Sequence, residues 1–103
     1  MVDWYRRHGY EIMDRNWRCR AGEIDVIVER DGLLVFCEVK TRATDRFGSP
    51  AHAVNIVKQR RVRRLAVTWM SHRRVRDARL RFDVACVVGT GESAVVEVIE
   101  AAF

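Results

Sequence analysis

The strongest constraint on the fold is a pair of apolar segments joined by an Asp-Gly turn. Residues 22–28 and 33–40 each have the length and apolar character of a β-strand, and residues 29–32 connect them. Asp31-Gly32 is a strong hairpin signal, because both residue types tolerate the backbone that tight hairpin turns need. The two segments are therefore predicted to pair as antiparallel strands. The hairpin brings Asp25, which is separated from Glu38 by twelve residues, close to Glu38 and Lys40.

Several charged side chains are expected to share one face of this hairpin. Side chains alternate between faces along a strand, so Glu38 and Lys40 lie together, as do Glu23 and Asp25. Burying such like charges unpaired costs on the order of several kcal/mol, and a divalent cation, Mg²⁺ or Mn²⁺, relieves that cost. We identify Asp25, Glu38, Lys40 and Glu23 as candidate catalytic residues in metal-dependent phosphate chemistry. The alternative is a solvated strand surface that carries ordinary Glu–Lys pairs.

Length and composition predict one domain over residues 1–103. No apolar run approaches the roughly 20 residues of a membrane span, and the N-terminus does not resemble a signal peptide, so no membrane partner is expected. The cysteines, at positions 19, 37 and 86, are odd in number and widely spaced. We expect Cys37 and Cys86 to pack in the core and the chain to be cytoplasmic.

Positive charge is concentrated in one half of the chain. The net charge is +5, but residues 56–81 contain ten basic residues and one acid, which leaves −4 for the remainder. Such asymmetry is typical of proteins that act on polyphosphates, so nucleic acid is the predicted partner, DNA before RNA. The candidate phosphate contacts are Arg42, Lys58, Arg60, Arg61 and Arg64. The alternative is that these residues form the solvated face of a helix.

The remaining pattern predicts an α/β (α+β) fold in the order α-β-β-β-α-β-β. Residues 2–8 are expected to end a helix that is capped by Gly9, and residues 10–17 to form a strand followed by a turn over 16–22. One long helix is predicted from Pro50 to Ser71, with Ser49 as its N-cap and an apolar face every three or four residues. Residues 79–88 and 94–99 are predicted strands around a turn at 89–92. Asp83 is expected to form a structural ion pair with Arg81.

Five motifs together resemble the YraN family of small bacterial proteins. They are RNWRCRAGEID at 15–25, VFCEVKTR at 35–42, FGSP at 47–50, KQRR at 58–61 and RFDV at 81–84. That family is similar to archaeal Holliday-junction resolvases and to the PD-(D/E)xK nucleases. The resemblance implies a restriction-endonuclease-like fold with a mixed sheet flanked by helices.

The resemblance also implies roles for individual residues. Asp25 and Glu38 would be metal ligands, the backbone carbonyl of Val39 a third ligand, and Lys40 the catalytic lysine. Helices after the Glu-x-Lys strand in related nucleases often supply a polar group, so Gln59 and Lys58 are candidates to reach the site. Relatives begin with a longer helix that carries a Gly-Glu pair, so this chain is expected to be short at its N-terminus. A homodimer is possible, because resolvases act as symmetric dimers.

Two functions from different classes remain open at this point. The first is a metal-dependent nuclease that hydrolyses DNA, branched DNA included, or RNA. The second is a non-catalytic nucleic-acid-binding module that uses the arginine-rich helix.

Overall fold

Five strands form a mixed sheet whose spatial order follows the chain. The computed structural model describes residues 2–42, 55–89 and 91–103. The strands are β1 (Glu11–Cys19), β2 (Gly22–Arg30), β3 (Leu33–Arg42), β4 (Arg79–Val88) and β5 (Val95–Ile99). Neighbouring strands are antiparallel except β3 and β4, which are parallel. A parallel pair needs a long crossover connection, and the segment between β3 and β4 contains the main helix.

Two helices accompany the sheet, α1 (Val2–Arg7) and α2 (Ile56–Arg73), and a short 3₁₀ turn (Gly91–Ser93) precedes β5. The predicted order α-β-β-β-α-β-β is confirmed, and the structure is a mixed α/β fold. Gly9 has φ +84° and ends α1, as the sequence predicts. Within the described ranges, neither helix has the length and apolar character needed to cross a membrane.

The central hairpin forms as the sequence predicts. Pairing of β2 with β3 starts at Arg30 and Leu33. Asp31 and Gly32 make the two-residue turn, with φ values of +50° and +80°. Positive φ at both positions matches the twist of the flanking strands, which explains the Asp-Gly preference. The turn therefore fixes the register that places Asp25 beside β3.

The predicted limits of the long helix are wrong. Asn55 has an extended backbone, and its side chain accepts a hydrogen bond from the Lys58 amide at 2.9 Å. It is therefore the N-cap of α2, and no single helix runs from Pro50. Asparagine satisfies an otherwise unpaired amide of the first turn, which makes it a strong helix start. The proposed Ser49 cap lies outside the described residues, and the helix continues past Ser71 to Arg73.

The predicted end of β1 is also wrong, because the strand continues through the proposed turn to Cys19. Trp17 and Cys19 pack against the core beneath α2, which keeps this segment on the sheet. The turn between β1 and β2 therefore contains only Arg20 and Ala21. Hydrophobic anchoring has outweighed the polar character from which the turn was predicted.

Apolar residues cover both faces of the sheet. The α2 face is filled by Ile24, Ile27, Leu34, Phe36, Val62, Leu65, Ala66, Trp69 and Phe82. The α1 face is filled by Tyr5, Tyr10, Val26, Val28, Val35, Cys37 and Ala85. The predicted apolar face of α2 is thus confirmed. Burial, the largest cause, raises the pKa of Cys37 to about 12, so its thiol stays protonated and serves only packing.

Asp83 in β4 ties the N- and C-terminal segments to the centre of the sheet. Its carboxylate is fully buried and accepts hydrogen bonds from Arg81, from the Tyr5 hydroxyl at 2.7 Å and from the Ala101 amide at 3.0 Å. The ion pair predicted between Arg81 and Asp83 is present, at 2.9 Å. Burial, followed by the charges nearby, raises the pKa of Tyr5, so its hydroxyl remains a donor.

Removing the Asp83 charge should therefore destabilise the whole chain. We expect Asp83→Asn to lower the free energy of unfolding by about 3–5 kcal/mol, because Arg81 would lose its buried partner. The exposed acid Asp77 gives the matched control, and Asp77→Asn should change stability by no more than about 0.5 kcal/mol. Urea denaturation measures both. A loss under about 1 kcal/mol for Asp83→Asn would contradict this account.

Candidate functional site

The two strands of the central hairpin separate at Asp25. Their paired register runs from Arg30–Leu33 to Val26–Cys37, after which β2 leaves β3. Glu38 would be the next partner of Asp25 if the ladder continued. Instead, the Asp25 carboxylate accepts a hydrogen bond from the Val39 amide at 2.8 Å. A side chain thus takes the place of a backbone acceptor, and a fork opens between the two strands.

Strand β1, the other neighbour of β2, is distorted opposite Asp25. Asn16 in β1 stands opposite Asp25, between the pairs Arg15–Val26 and Trp17–Ile24, and has φ +50°. Asparagine tolerates this left-handed backbone better than most residues. Ile24 packs on the α2 face and Val26 on the α1 face, although alternate residues of a regular strand share a face. The chain therefore changes face at Asp25, which lies at the centre of the irregularity.

Glu38 faces α2 and is held by both lysines of the site. Its Oε1 lies 2.6 Å from Nζ of Lys58 and 3.6 Å from Nζ of Lys40. Glu38 is only 8% exposed, so its charge needs such partners. Lys58 belongs to the first turn of α2, where the Asn55 cap fixes the backbone. The structure thus confirms the expectation that Lys58 reaches the candidate site.

The two lysines experience opposite electrostatic environments. Burial, then the neighbouring Lys58, lowers the pKa of Lys40, and Glu38 only partly offsets these effects. Burial also disfavours charge on Lys58, but its hydrogen bond to Glu38 prevails and its pKa is raised. The chain contains two lysines and seventeen arginines, and both lysines lie at this carboxylate. Lysine, unlike arginine, can change its protonation state in a protein.

Asp25 is half-buried beside two other acids. Burial raises its pKa, the hydrogen bond from Val39 opposes that change, and the charges of Glu38 and Glu23 add to the rise. Glu23 itself forms an ion pair with Arg18, its cross-strand neighbour, at 2.5 Å. It therefore stands at the outer edge of the site and is a cross-strand partner of β1.

A small cavity connects these groups to α2. It measures about 200 Å³ and is lined by Gly22, Glu23, Asp25, Glu38, Lys58 and Arg61 above an apolar floor. Gly22 permits the close approach of α2, since a Cβ there would lie 3.3 Å from Leu65 Cδ1 and 3.6 Å from Arg61 Cδ. Its φ of +150° also favours glycine.

The basic residues predicted to contact phosphate lie in different parts of the structure. Arg61 lines the cavity with Lys58, whereas Arg60 and Arg64 are exposed on the outward side of α2. Arg42 ends β3 opposite Val88. Arg63, on the same helix, stacks over Phe82 at 4.8 Å and so supports the core. The arginine-rich helix is thus partly structural and partly available to a polyanion.

The donor set fits a hard divalent cation that keeps much of its water. Within the described part of the chain, no cluster of three or more histidine, cysteine or acidic side chains is placed to hold a metal. Mg²⁺ commonly uses one or two carboxylates with water and substrate oxygens, and Asp25 and Glu38 can supply them. The Val39 amide points towards Asp25, so its carbonyl is directed into the same fork, because both groups of a strand residue point to one side.

Sequence reasoning missed the features that depend on backbone irregularity. Neither the positive φ of Asn16 nor the change of face at Asp25 follows from a residue pattern, since both residues occur in ordinary strands. The contact between Gly22 and α2 had a signal, because a glycine immediately before the acidic strand often marks close approach of backbone.

The lysine environments give a direct prediction. With both amines ¹³C-methylated, NMR should resolve Lys40 and Lys58, and Lys40 should lose its proton at the lower pH, because burial and Lys58 disfavour its charge. In Lys58→Met the pKa of Lys40 should rise towards its ordinary value, because the neighbouring positive charge is gone. Coincident titrations, or a Lys40 pKa above that of Lys58, would contradict the described geometry.

Comparison with known proteins identifies relatives over most of the chain. The model of the uncharacterised protein family UPF0102 matches residues 1–87. The UPF0102 protein of Myxococcus xanthus is 45% identical over 102 residues, which cover 99% of this chain and 81% of that protein. Those of Geobacter metallireducens and Mycolicibacterium gilvum are 42% and 50% identical, over 99% and 89% of this chain and 84% and 77% of their own. The chain therefore belongs to UPF0102, the YraN family that its motifs predicted.

Proposed function

We propose that this chain is a divalent-metal-dependent nuclease that hydrolyses phosphodiester bonds of DNA or RNA. One observation carries the proposal: Asp25, Glu38 and Lys40 meet where β2 and β3 fork. Regular hairpins keep their ladders intact, so an interrupted ladder that brings buried acids together is costly unless it serves a ligand. The mixed sheet with this site on its central hairpin supports a restriction-endonuclease-like fold.

Asp25 and Glu38 are the proposed metal ligands, with the Val39 carbonyl as a third. When bound, Mg²⁺ or Mn²⁺ supplies Lewis-acid polarisation of a phosphate oxygen. The two carboxylates would otherwise repel each other, and the raised pKa of Asp25 reflects this crowding together with burial. The Val39 amide orients Asp25 through a fixed backbone hydrogen bond.

Lys40 is the proposed catalytic lysine. It shares a face of β3 with Glu38 and lies 3.6 Å from it, so its amine is held beside the acids. There it can orient the attacking water and stabilise negative charge that develops on phosphate oxygens. Its lowered pKa brings the amine closer to neutrality, which suits a group that exchanges protons.

Arginines extend this site towards a nucleic-acid backbone. Arg61 lines the cavity, and the exposed Arg60 and Arg64 continue the positive surface along α2. Arginine binds phosphate in a bidentate manner without reading base sequence. We propose that these residues position the substrate, and that recognition depends on the shape of the nucleic acid.

A second candidate function is a nucleic-acid-binding module without catalysis. The observation that favours it is the 2.6 Å pair between Lys58 and Glu38, which neutralises the acid without a metal. Such a module would bind nucleic acid through its arginines in a salt-sensitive, metal-independent manner.

Cleavage assays separate the two functions. Labelled single-stranded, duplex and four-way-junction DNA, together with RNA, would be incubated with Mg²⁺, Mn²⁺ or EDTA. We expect metal-dependent cleavage that falls by about 100-fold or more in Lys40→Ala and in Asp25→Asn, because each removes a group that acts on developing charge. Asp77→Asn, an exposed acid far from the fork, should cleave like the unaltered protein.

The opposite outcome is equally clear. Cleavage that persists undiminished in Lys40→Ala and Asp25→Asn would place the activity elsewhere. Metal-independent binding with no cleavage above the Lys40→Ala background would favour the binding module.

A further inference from the structure

The fork opens into cavities on both faces of the sheet, and Asp25 borders each of them. The smaller cavity lies on the α2 face and contains Glu38 and Lys58. The larger, about 590 Å³, lies on the α1 face between α1, β1 and the separated ends of β2 and β3. Its volume is in the ~300–1,000 Å³ range of ligand sites. Of its lining residues, Asp25 and Val39 have the roles assigned above, and the arginines have none.

The α1-face cavity is lined by two arginines, which suit a phosphate backbone, together with the acids Asp3 and Asp25. Arg6 comes from α1, while Arg15 and Asn16 come from β1. The Arg15 side chain is exposed and forms no ion pair within residues 2–42, 55–89 and 91–103. Among the described residues, Arg6 forms an ion pair with Asp3 alone, at 4.0 Å with both side chains well exposed, so that contact holds it weakly. Two guanidinium groups are thus available at the edge of the cavity.

The strand irregularity creates this cavity and also limits what can fill it. Asn16 turns to positive φ opposite Asp25, and β2 leaves β3 at the same level, where Asp25 borders one cavity on each face of the sheet. A mononucleotide would fill one cavity only. A longer polynucleotide has the length to contact both cavities.

We propose that the α1-face cavity holds the nucleic-acid strand on one side of the bond to be cleaved, with Arg6 and Arg15 binding its phosphates. This inference rests on the proposed function and adds to it a substrate class, a polymer that extends on both sides of the fork. It also adds a second basic surface, opposite the arginines of α2, so the strand is held from both faces of the sheet.

The test measures binding in EDTA, where cleavage cannot contribute. Fluorescence anisotropy would follow a labelled oligonucleotide at several salt concentrations for Arg6→Gln/Arg15→Gln. The matched control is Arg7→Gln/Arg76→Gln, which removes the same charge from exposed arginines outside the cavity. We expect the cavity variant to bind about tenfold more weakly and to lose about two phosphate contacts from its salt dependence, with the control close to the unaltered protein. Equal thermal unfolding midpoints would exclude misfolding as the cause.

The second part of the test compares competitor oligonucleotides of different lengths. Thymidine oligonucleotides of increasing length should compete progressively better than a single nucleoside monophosphate, and the cavity variant should reduce this gain. Equal binding by the cavity and control variants, or equal competition by the monophosphate, would overturn the inference. These binding assays need no metal, so they are independent of cleavage. A failure to cleave would contradict the nuclease proposal, whereas weaker binding by the cavity variant would still support the role of the cavity.

Discussion

The hydrogen bond from the Val39 amide to the Asp25 carboxylate is the interaction on which the candidate site depends. In an uninterrupted hairpin the Val39 amide would bond to a backbone carbonyl of β2, because buried amides must be paired. Here a side chain satisfies it at 2.8 Å, so β2 can separate from β3 while it stays paired with β1. The same contact fixes the carboxylate beside Glu38. One bond therefore opens the fork, orients an acid and directs the Val39 carbonyl into the opening.

Charge balance at the fork depends on both lysines of the chain. Glu38 is almost fully buried and is neutralised by two ammonium groups from different elements, Lys40 on β3 and Lys58 on α2. Asp25 is half-buried near the same acids and accepts a hydrogen bond from the Val39 amide, and it forms no ion pair within the part of the chain that the structure describes. A divalent ion would supply the missing charge, and it would compete with Lys58 for Glu38. In this account Lys58 stabilises the site before the metal binds.

Much of the fold could be read from the sequence, because it follows from local rules. The Asp31-Gly32 turn set the hairpin register, and the spacing of Val62, Leu65 and Trp69 set the buried face of α2. The errors had two different sources. At α2 one local signal prevailed over another, because Asn55 caps the helix through the Lys58 amide. At β1 a tertiary contact outweighed the local signal, because packing of Trp17 keeps the strand extended.

The candidate site was predictable in composition but not in shape. Period-two alternation placed Glu38 and Lys40 together, and the hairpin brought Asp25 to them. Alternation also placed Glu23 with Asp25, yet the change of face at Asp25 and the cross-strand pair with Arg18 leave Glu23 at the edge. The left-handed backbone of Asn16 accompanies this change and costs free energy. Because many sequences can carry such strain, residue types alone do not predict it. The residue pattern predicts regular strands at Asn16 and Asp25.

The central claim is that Asp25 and Glu38 bind a divalent cation at the fork. Electron paramagnetic resonance of free Mn²⁺ during titration counts bound ions directly, without any need for a substrate. We predict one site per chain, weakened by about 10- to 100-fold in Asp25→Asn, because outer-shell changes alone already cost that much in metal sites. Asp77→Asn should bind as the unaltered chain does, and Lys58→Met should bind more tightly, since it removes a competing charge. Equal Mn²⁺ affinity in Asp25→Asn and the unaltered chain would contradict the account.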